Sequence, residues 1–327
     1  MKRKTFLHSL VMVPTALAAL GPAGALAQDR EPIRLISGFA AGGTTDGICR
    51  ILADHLTREL GQQVIVENKA GAGGRMAAEY VKNARPDGKT YLVGPDGWAI
   101  FPSAMYAPSV LRYDLMKDFR PVAQLVSYPL ALVVSGAVPA RNLSDFAAWL
   151  KTRPDQRVFG TPAPGGQVQF VGWVVGQALG TPLTPVPYKG NAPLLTDLIG
   201  GQLPAAILVT GDALRQSRDK VRILAVMADQ RWSLAPDVPT FKEQGYEVKV
   251  AEAWQGMWAS AASPKAETDR MEAALRKVLQ KPEVQAAIVK MTMLTPRFVS
   301  GQQMEKSLRE DLAYWEGVIK ASGYVPN

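Results

Sequence analysis

The sequence has too few cysteines and histidines for most metal centres and histidine-dependent active sites. Its 327 residues include one cysteine, Cys49, and two histidines. A single cysteine cannot form an intramolecular disulfide, and Cys/His zinc sites need more such ligands than the chain supplies. His55, the histidine outside the N-terminal segment, has no G-x-S-x-G motif to accompany it in a Ser-His-Asp triad. We therefore expect no cofactor, no metal site and no enzymatic activity.

Charge of one sign is not concentrated anywhere in the chain. The 37 Lys and Arg residues exceed the 29 Asp and Glu residues only slightly, which gives a formal net charge of +8. This excess forms no basic stripe of the kind that binds nucleic acid, so we expect no nucleic-acid partner. With 47% hydrophobic residues, the chain is not predicted to be disordered. Its length fits about two domains.

A long apolar run occurs only near the N-terminus. Residues 6–20 are mostly apolar, follow basic residues 2–4 and precede a small-residue site at 25–27. This order is typical of a secretory signal peptide, and the run is broken by Pro14 and is shorter than the ~20 residues of a membrane-spanning helix. We expect residues 1–27 to be removed and the mature protein to be periplasmic, without a lipid anchor because no cysteine lies near the cleavage point. Both Sec and twin-arginine export stay open.

Strands and helices are predicted to alternate at the start of the mature chain. Residues 33–36 are an apolar run that predicts a strand, a glycine-rich loop follows, and apolar residues then recur at helical spacing over 48–60. Thr45 is the predicted N-cap of this helix, and Gly61 is its predicted C-terminal stop. Two further strand signals come next, the first followed by a glycine-rich loop at 70–74 and the second by residues 95–98. This alternation predicts a mostly parallel sheet with ligand loops at the carboxyl ends of its strands.

A second set of strands and helices begins near Leu130. A strand signal at 158–160 precedes another loop rich in Gly and Pro, residues 161–167, and further helices and strands follow to Val226. A buried segment around Trp254 and two amphipathic helices complete the chain. The sequence therefore predicts two α/β units, each with glycine-rich turns.

The first glycine-rich loop is a candidate anion site. Backbone N–H groups at a helix N-terminus lack intrahelical partners and carry partial positive charge, and glycines let a ligand approach them closely. This arrangement, with two hydroxyl donors, is offered by Gly42, Gly43, Thr44, Thr45 and Asp46. The alternative is that the glycines only form a tight strand-to-helix turn. A nucleotide is disfavoured because Thr44 stands where a phosphate-binding loop would have its lysine.

The second glycine-rich loop offers a similar arrangement. Residues 161–167 also precede a helix, so two facing loops would hold both ends of a dianion. Because this loop contains Pro162 and Pro164, a proline-stiffened connector is the alternative interpretation.

Five single residues also need interpretation. Asp96 is by default a turn residue, but as a ligand group it would repel a carboxylate or pair with a cationic part of the substrate. Tyr188 would place a phenol at the cleft, and Trp254 either walls a pocket or belongs to the core. Cys49 lies near a helix start, which lowers a thiol pKa, although a reactive role is disfavoured. His55 lies beside an apolar stripe and is interpreted as structural.

Seven sequence motifs occur together over essentially the whole mature chain. The first is Phe39-Ala40-Ala41-Gly42-Gly43-Thr44-Thr45-Asp46, and the others occupy residues 66–74, 85–92, 113–122, 186–190, 197–202 and 235–240. In these motifs and their order, the chain resembles the extracytoplasmic solute-binding proteins of tripartite tricarboxylate transporters, the Bug type.

The resemblance implies a two-lobed α/β periplasmic binding protein, type II-like, with mixed, mostly parallel sheets flanked by helices. Lobe 1 is expected at 28–128 and 250–327 and lobe 2 at 129–249, with crossing strands between them. Such proteins close on a small carboxylate and deliver it to a membrane permease. We expect a monomer whose partners are permease subunits. Presentation of the closed form to a sensor kinase, and an exported hydrolase or isomerase activity, are the alternatives.

The resemblance also implies that both glycine-rich loops hold the ligand through backbone groups, hydroxyls and bridging water. The chain departs from the family in the second loop, at Pro204 and at 209–212, so the identity of the carboxylate stays open. The predicted ligand-binding residues are Phe39, Ala41, Gly42, Gly43, Thr44, Thr45, Asp46, Asp96, Thr161, Pro162, Ala163, Gly165, Gly166, Gln167, Tyr188, Gly190, Thr210 and Trp254.

Overall fold

Two β-sheets form the framework of the protein. The computed structural model describes residues 31–162, 164–216, 218–249 and 252–326. Within these ranges the first sheet has six strands, β1 (Ile33–Ser37), β2 (Val64–Asn68), β3 (Thr90–Pro95), β4 (Phe119–Tyr128), β10 (Ala253–Ser260) and β11 (Thr295–Ser300). The second sheet has five, β5 (Leu130–Ser135), β6 (Val158–Thr161), β7 (Thr184–Pro187), β8 (Ala205–Val209) and β9 (Val221–Met227).

Both sheets mix parallel and antiparallel neighbours. In the first, of order β11-β4-β10-β3-β1-β2, strand β1 is parallel to β2 and β3, and β10 is antiparallel to β3 and β4. In the second, of order β7-β6-β8-β5-β9, strand β6 is parallel to β7 and β8, and β5 is antiparallel to β8 and β9. The prediction of two mixed α/β sheets is confirmed. The prediction that the sheets are mostly parallel is wrong: of the nine strand pairings in the described residues, five are antiparallel and four are parallel. The reason is that β5 and β10, each the first strand after the chain passes from one sheet to the other, run antiparallel to both of their neighbours.

Helices flank both sheets and connect most of the strands. In the described part of the chain they are α1 (Thr44–Leu60), α2 (Arg75–Lys82), α3 (Gly97–Met105), α4 (Pro108–Leu111), α5 (Leu115–Asp118), α6 (Leu143–Thr152), α7 (Gln167–Ala178), α8 (Asn191–Gly200), α9 (Thr210–Leu214), α10 (Lys265–Leu279), α11 (Pro282–Thr292) and α12 (Gly301–Ser322). Of the helices in those ranges, none combines the length and the apolar character needed to cross a membrane. The predicted signal peptide, residues 1–27, lies outside the described residues.

Helix α1 starts and ends next to glycines. Its N-cap is Gly43, so the prediction that Thr45 caps the helix is wrong: the helix has already begun at Thr44. At the other end, Gly61 adopts the left-handed conformation with a φ of 61°, which confirms the predicted stop.

The chain passes from the first sheet to the second through a single residue, Pro129, which separates β4 from β5. Thr210, the first residue of α9, binds this crossing point twice. Its backbone N–H and its hydroxyl donate to the Pro129 carbonyl oxygen at 3.1 and 2.7 Å. The crossing is therefore attached to the carboxyl end of β8.

One continuous apolar core contains residues from both sheets. Where α3 meets α7, the rings of Phe101 and Phe170 stack with centroids 5.6 Å apart and planes 5° apart. Cys49 belongs to the same core, and burial raises the pKa of its thiol, which is opposite to the shift that a helix start predicts. An inert thiol follows from that burial. His55 is half-buried on α1, as a structural histidine would be.

Candidate functional site

The loop between β1 and α1 presents the start of a helix to solvent. Residues 40–44, which include Ala41, are exposed. The N-cap residue is Gly43, which has no side chain that could accept a hydrogen bond from the first N–H groups of α1. Gly42 has a φ of 80°, a conformation that favours glycine. This is the geometry that the predicted anion site requires.

Asp46 is buried beneath this loop and stabilises it by hydrogen bonds. Its carboxylate accepts hydrogen bonds from the Gly42 N–H at 3.0 Å, the Asn68 amide at 2.9 Å and the Arg50 guanidinium at 2.9 and 3.1 Å. The Arg50 hydrogen bond, with those from Gly42 and Asn68, lowers the pKa of Asp46 to about 2. Both carboxylate oxygens are engaged within the protein. The structure thus gives Asp46 a supporting role where the sequence predicts a ligand contact.

Asn68 supports the same loop and is absent from the predicted site. It is the last residue of β2, and its side-chain amide also donates to the Phe39 carbonyl oxygen at 3.1 Å. The Phe39 carbonyl therefore faces Asn68 and not open solvent. The sequence contains a signal for this residue. Asn68 ends a predicted strand, and the carboxyl ends of neighbouring parallel strands meet at one edge of a sheet, so it is expected near the loop that follows β1.

The two threonines at the start of α1 differ in their surroundings. Thr44 is exposed, whereas Thr45 is 5% exposed and its hydroxyl donates to Gln255 Oε1 at 3.0 Å. Gln255 lies on β10 and is itself buried. The Thr44 side chain is thus open to solvent, while the Thr45 hydroxyl joins α1 to the sheet.

Asp96 lies directly after β3, beside β10, and is 3% exposed. Its N–H donates to the Trp254 carbonyl oxygen at 2.9 Å, and its Oδ2 accepts from the Gln167 amide at 3.3 Å. Its Oδ1 has no partner within hydrogen-bonding geometry among the described residues. Burial, followed by the charge of Asp311, raises the pKa of Asp96 to about 8. A turn aspartate would be exposed, so Asp96 is not a simple turn residue.

The second glycine-rich loop connects β6 to α7 in the same way as the first connects β1 to α1. Gly166 is the N-cap of α7 and has no side chain that could accept from the first N–H groups of the helix. The Gly165 N–H donates to Gln169 Oε1 at 2.9 Å, which fixes the turn before the helix. Thr161 is buried at the end of β6. Ala163 lies outside the described residues.

The segment after β7 supports this loop through its backbone. The Tyr188 N–H donates to the Thr161 carbonyl oxygen at 2.8 Å, and the Gly190 N–H donates to the Pro162 carbonyl oxygen at 3.1 Å. The Tyr188 hydroxyl donates to Asp197 Oδ2 at 2.8 Å. Burial, together with this acceptor, raises the pKa of Tyr188 to about 12. The phenol is therefore engaged with α8, whereas the sequence predicts it at the ligand.

Two other predicted site residues also have protein partners for their polar groups. The Thr210 hydroxyl binds the Pro129 carbonyl oxygen at the crossing between the sheets. Trp254 is 5% exposed, stacks on Trp258 with centroids 5.7 Å apart and makes a side-chain hydrogen bond to Asp311. The polar groups of both residues therefore bind other parts of the protein.

Three hydrogen bonds bring the starts of three helices around one strand. Thr45 at the start of α1 binds Gln255, Asp96 before α3 binds the adjacent Trp254, and Gln167 at the start of α7 binds Asp96. Gln255, which anchors this arrangement, is a second residue that the sequence does not reveal. Across residues 31–162, 164–216, 218–249 and 252–326, no group of three or more His, Cys, Asp or Glu side chains is placed to hold a metal ion.

Comparison with known proteins points to one family. The profile described as "Tripartite tricarboxylate transporter family receptor" matches residues 48–324. A "UPF0065 protein in the TAR-I ttuE-ttuC' intergenic region" of Agrobacterium vitis is 35% identical over 271 residues, which cover 82% of this chain and 78% of the relative.

Solved structures of the same kind share the fold. The periplasmic binding protein BugD superposes with a TM-score of 0.74 at 30% identity, covering 89% of this chain and 97% of BugD. An R. palustris protein solved with adipate superposes with a TM-score of 0.78 at 27% identity, covering 90% of this chain and 98% of that protein.

Proposed function

The chain belongs to the tripartite tricarboxylate transporter receptor family, and from this membership we propose that it is a periplasmic solute-binding protein for a small organic carboxylate. It would bind the carboxylate between its two sheets and deliver it to the membrane subunits of a permease. Support for the ligand class comes from the similar R. palustris protein, which was solved with adipate.

The observation that carries this proposal is the pair of uncapped helix starts. Helices α1 and α7 each begin at a glycine without a side-chain hydrogen bond, and each follows a strand of a different sheet. The partial positive charge of such helix starts favours an anion. The carboxyl ends of β1 and β3 are neighbours at one edge of the first sheet, and the Asp96–Gln167 hydrogen bond joins the residue after β3 to the start of α7, which supports a site between the two sheets.

We propose that binding is coupled to a hinge motion of two lobes. The strands of the first sheet fall within 28–128 and 250–327, and those of the second within 129–249, which supports the lobe boundaries predicted from the sequence. Pro129 is the natural pivot, because the chain crosses there in one residue. Ligand contacts to both lobes would shift the population towards the closed form.

A thermal-shift screen of mono-, di- and tricarboxylates tests the proposed function. A carboxylate present at 100 times its Kd is expected to stabilise the folded protein by about 2.7 kcal/mol, because it binds the native and not the unfolded chain. Neutral sugars of similar size serve as controls. A clear shift with sugars and none with any organic acid would contradict the proposal.

Thr44 and Thr45 provide a matched pair for locating the ligand. Thr44→Ala is expected to weaken carboxylate binding by about tenfold without changing stability, because an exposed hydroxyl that donates to a charged ligand is removed. Thr45→Val keeps the side-chain shape but leaves buried Gln255 Oε1 without its donor. We expect this second change to lower the free energy of unfolding by about 1–3 kcal/mol.

Calorimetric titration with the best carboxylate of the screen, and urea unfolding of both variants, check these expectations. If Thr44→Ala binds the carboxylate as tightly as the unmodified protein does, the Thr44 hydroxyl does not contact the ligand, and the first loop is not the binding site. Unchanged stability of Thr45→Val would mean that the Gln255 contact contributes nothing to the fold.

A further inference from the structure

Asp96 occupies an unusual place for an acid in a site built to attract anions. It is 3% exposed, its Oδ2 accepts from Gln167 on the opposite loop, and its Oδ1 has no partner among the described residues. Its N–H donates to Trp254 on β10, and the next residue of that strand, Gln255, accepts from Thr45 at the start of α1. The carboxyl group therefore lies at the edge of the first sheet from which the first glycine-rich loop also starts, and it contacts the start of α7.

The titratable side chains that act on or beside Asp96 are two acids and a phenol. Helix α12 contributes Asp311, strand β4 contributes the Tyr128 phenol, and α9 contributes Asp212, which acts on the same phenol. Helix α7 contributes the neutral Gln167 amide. The side-chain charges with the largest effect on Asp96 and Asp311 are those of other acids, Asp311 and Glu310 respectively.

An acid in these surroundings holds its proton at neutral pH. Burial, reinforced by Asp311, raises the pKa of Asp96 to about 8, and the Gly97 and Trp254 N–H groups and the Gln167 amide oppose this rise without cancelling it. Burial also raises the pKa of Asp311 to about 6. A charge left in such a place without a partner would be strongly unfavourable.

A neutral carboxyl group has one O–H donor. Since Oδ2 accepts a hydrogen bond from Gln167, the proton belongs on Oδ1, the oxygen without a partner. This donor has no acceptor among the described residues, and the N–H groups at the helix starts cannot provide one because they are themselves donors. A carboxylate oxygen of the ligand would satisfy it in a strong charge-assisted hydrogen bond.

We propose that Asp96 is a specificity-determining residue that, in its neutral form, donates a hydrogen bond to a second carboxylate of the ligand. The substrate class is then a dicarboxylate, with one end at the uncapped helix starts and the other at Asp96, and it binds only together with the Asp96 proton. This inference rests on the proposed carboxylate-binding function and narrows it.

The test compares matched ligands over a range of pH. Succinate, glutarate and adipate are titrated calorimetrically at pH 6.5 to 9.5, beside butanoate, pentanoate and hexanoate, which lack the second carboxylate. Dicarboxylate affinity is constant below the pKa of Asp96 and decreases as pH rises through it, by about tenfold between pH 7 and pH 9. The monocarboxylates are expected to bind more weakly and to show little pH dependence.

Three variants connect that pH dependence to Asp96. Asp96→Asn keeps an N–H donor without a titrating proton, so dicarboxylate binding should persist and lose its decrease at high pH. Asp311→Asn removes a neighbouring negative charge that raises the pKa of Asp96, so the pH at which affinity decreases should be lower. If Asp96→Asn does not fold, this variant still tests whether Asp96 causes the pH dependence. Asp155→Asn, at an exposed turn far from the site, should behave as the unmodified protein.

The outcomes separate this inference from the proposed function. Binding of dicarboxylates with no pH dependence, in the unmodified protein and in Asp311→Asn, overturns the role of Asp96 and leaves carboxylate binding intact. Tighter binding of aspartate or glutamate, with proton release that two buffers of different ionisation enthalpy reveal, also overturns it, because an ionised Asp96 would then hold an ammonium group. No binding of any carboxylate at any pH would contradict the proposed function itself.

Discussion

Replacing Asp46 by alanine is expected to lower the free energy of unfolding by about 3 kcal/mol and to weaken carboxylate binding more than tenfold. The carboxylate accepts hydrogen bonds from the Gly42 N–H and the Asn68 amide, and a hydrogen bond to a charged group contributes about 1.5 kcal/mol or more. Arg50 adds little to this figure, because its side chain is 58% exposed and solvent screens the ion pair. Carboxylate binding should weaken because the loop that contains Phe39 and Gly42 loses the Asp46 carboxylate that positions it.

Urea unfolding at neutral pH measures the stability change, and Arg50→Ala is the matched control. That variant removes the exposed partner and keeps the two inner hydrogen bonds, so it should have a much smaller effect. The pKa of Asp46, about 2 against an ordinary 3.8, sets the pH window. The stabilisation is present above the ordinary value and is lost as pH falls through the folded one. A loss below 0.5 kcal/mol for Asp46→Ala would contradict the supporting role.

Phe170→Ala is expected to lower the free energy of unfolding by about 3–5 kcal/mol, the range for removing a fully buried aromatic ring. Phe170 is 1% exposed, stacks on Phe101 and meets Tyr324 edge-on with centroids 5.4 Å apart. Phe101 belongs to α3 and Phe170 to α7, so the stack also joins the two proposed lobes. Its loss should favour the open form and reduce ligand affinity as well.

The matched control is Phe298→Ala, which removes the same side chain at a half-buried position on β11. Its loss should be well below that of Phe170→Ala, because less apolar surface leaves contact with the protein. Thermal and urea unfolding of both variants measure the difference. Equal losses would mean that the Phe101–Phe170 stack has no special weight in the fold.

The local signals in the sequence were sufficient to locate the loops of the site. The apolar run before Gly38, the helical spacing after Thr44 and the glycine at 61 predict a strand, a loop and a helix that the structure contains. The start of α1 is the exception. Thr45 has the right chemistry for an N-cap, but its hydroxyl bonds across the sheet to Gln255, and the exposed Gly43 takes the cap position.

The roles of individual side chains could not be predicted in the same way. Asp46, Tyr188 and Thr210 are polar residues in or near glycine-rich loops, which suggests ligand contact. Each instead bonds to a protein group that sequence alone does not place beside it: Asn68 at the end of β2, Asp197 on α8 and Pro129 at the crossing. A buried polar group takes the nearest available partner, and that partner is determined by the tertiary fold.

The burial of Asp96 could not be predicted from the sequence either. Its neighbours in the chain, Pro95 and Gly97, predict an exposed turn. Burial comes from β10, which returns from the far part of the chain to lie between β3 and β4. A strand inserted in this way leaves no local signature at Asp96, so its unsatisfied oxygen could be found only in the folded protein.

The glycine caps of α1 and α7 matter for anyone who wishes to engineer this scaffold, for example as a biosensor. Some other helices of the chain are capped by side chains, as Asn142 caps α6 and Ser300 caps α12. Serine in place of Gly43 or Gly166 would be a standard stabilising design, worth up to a few tenths of a kcal/mol over glycine. It would also put a permanent hydroxyl on the very N–H groups that an anion must reach. Stabilising substitutions should therefore be made at other positions, because a capping side chain and an anionic ligand would bind the same N–H groups.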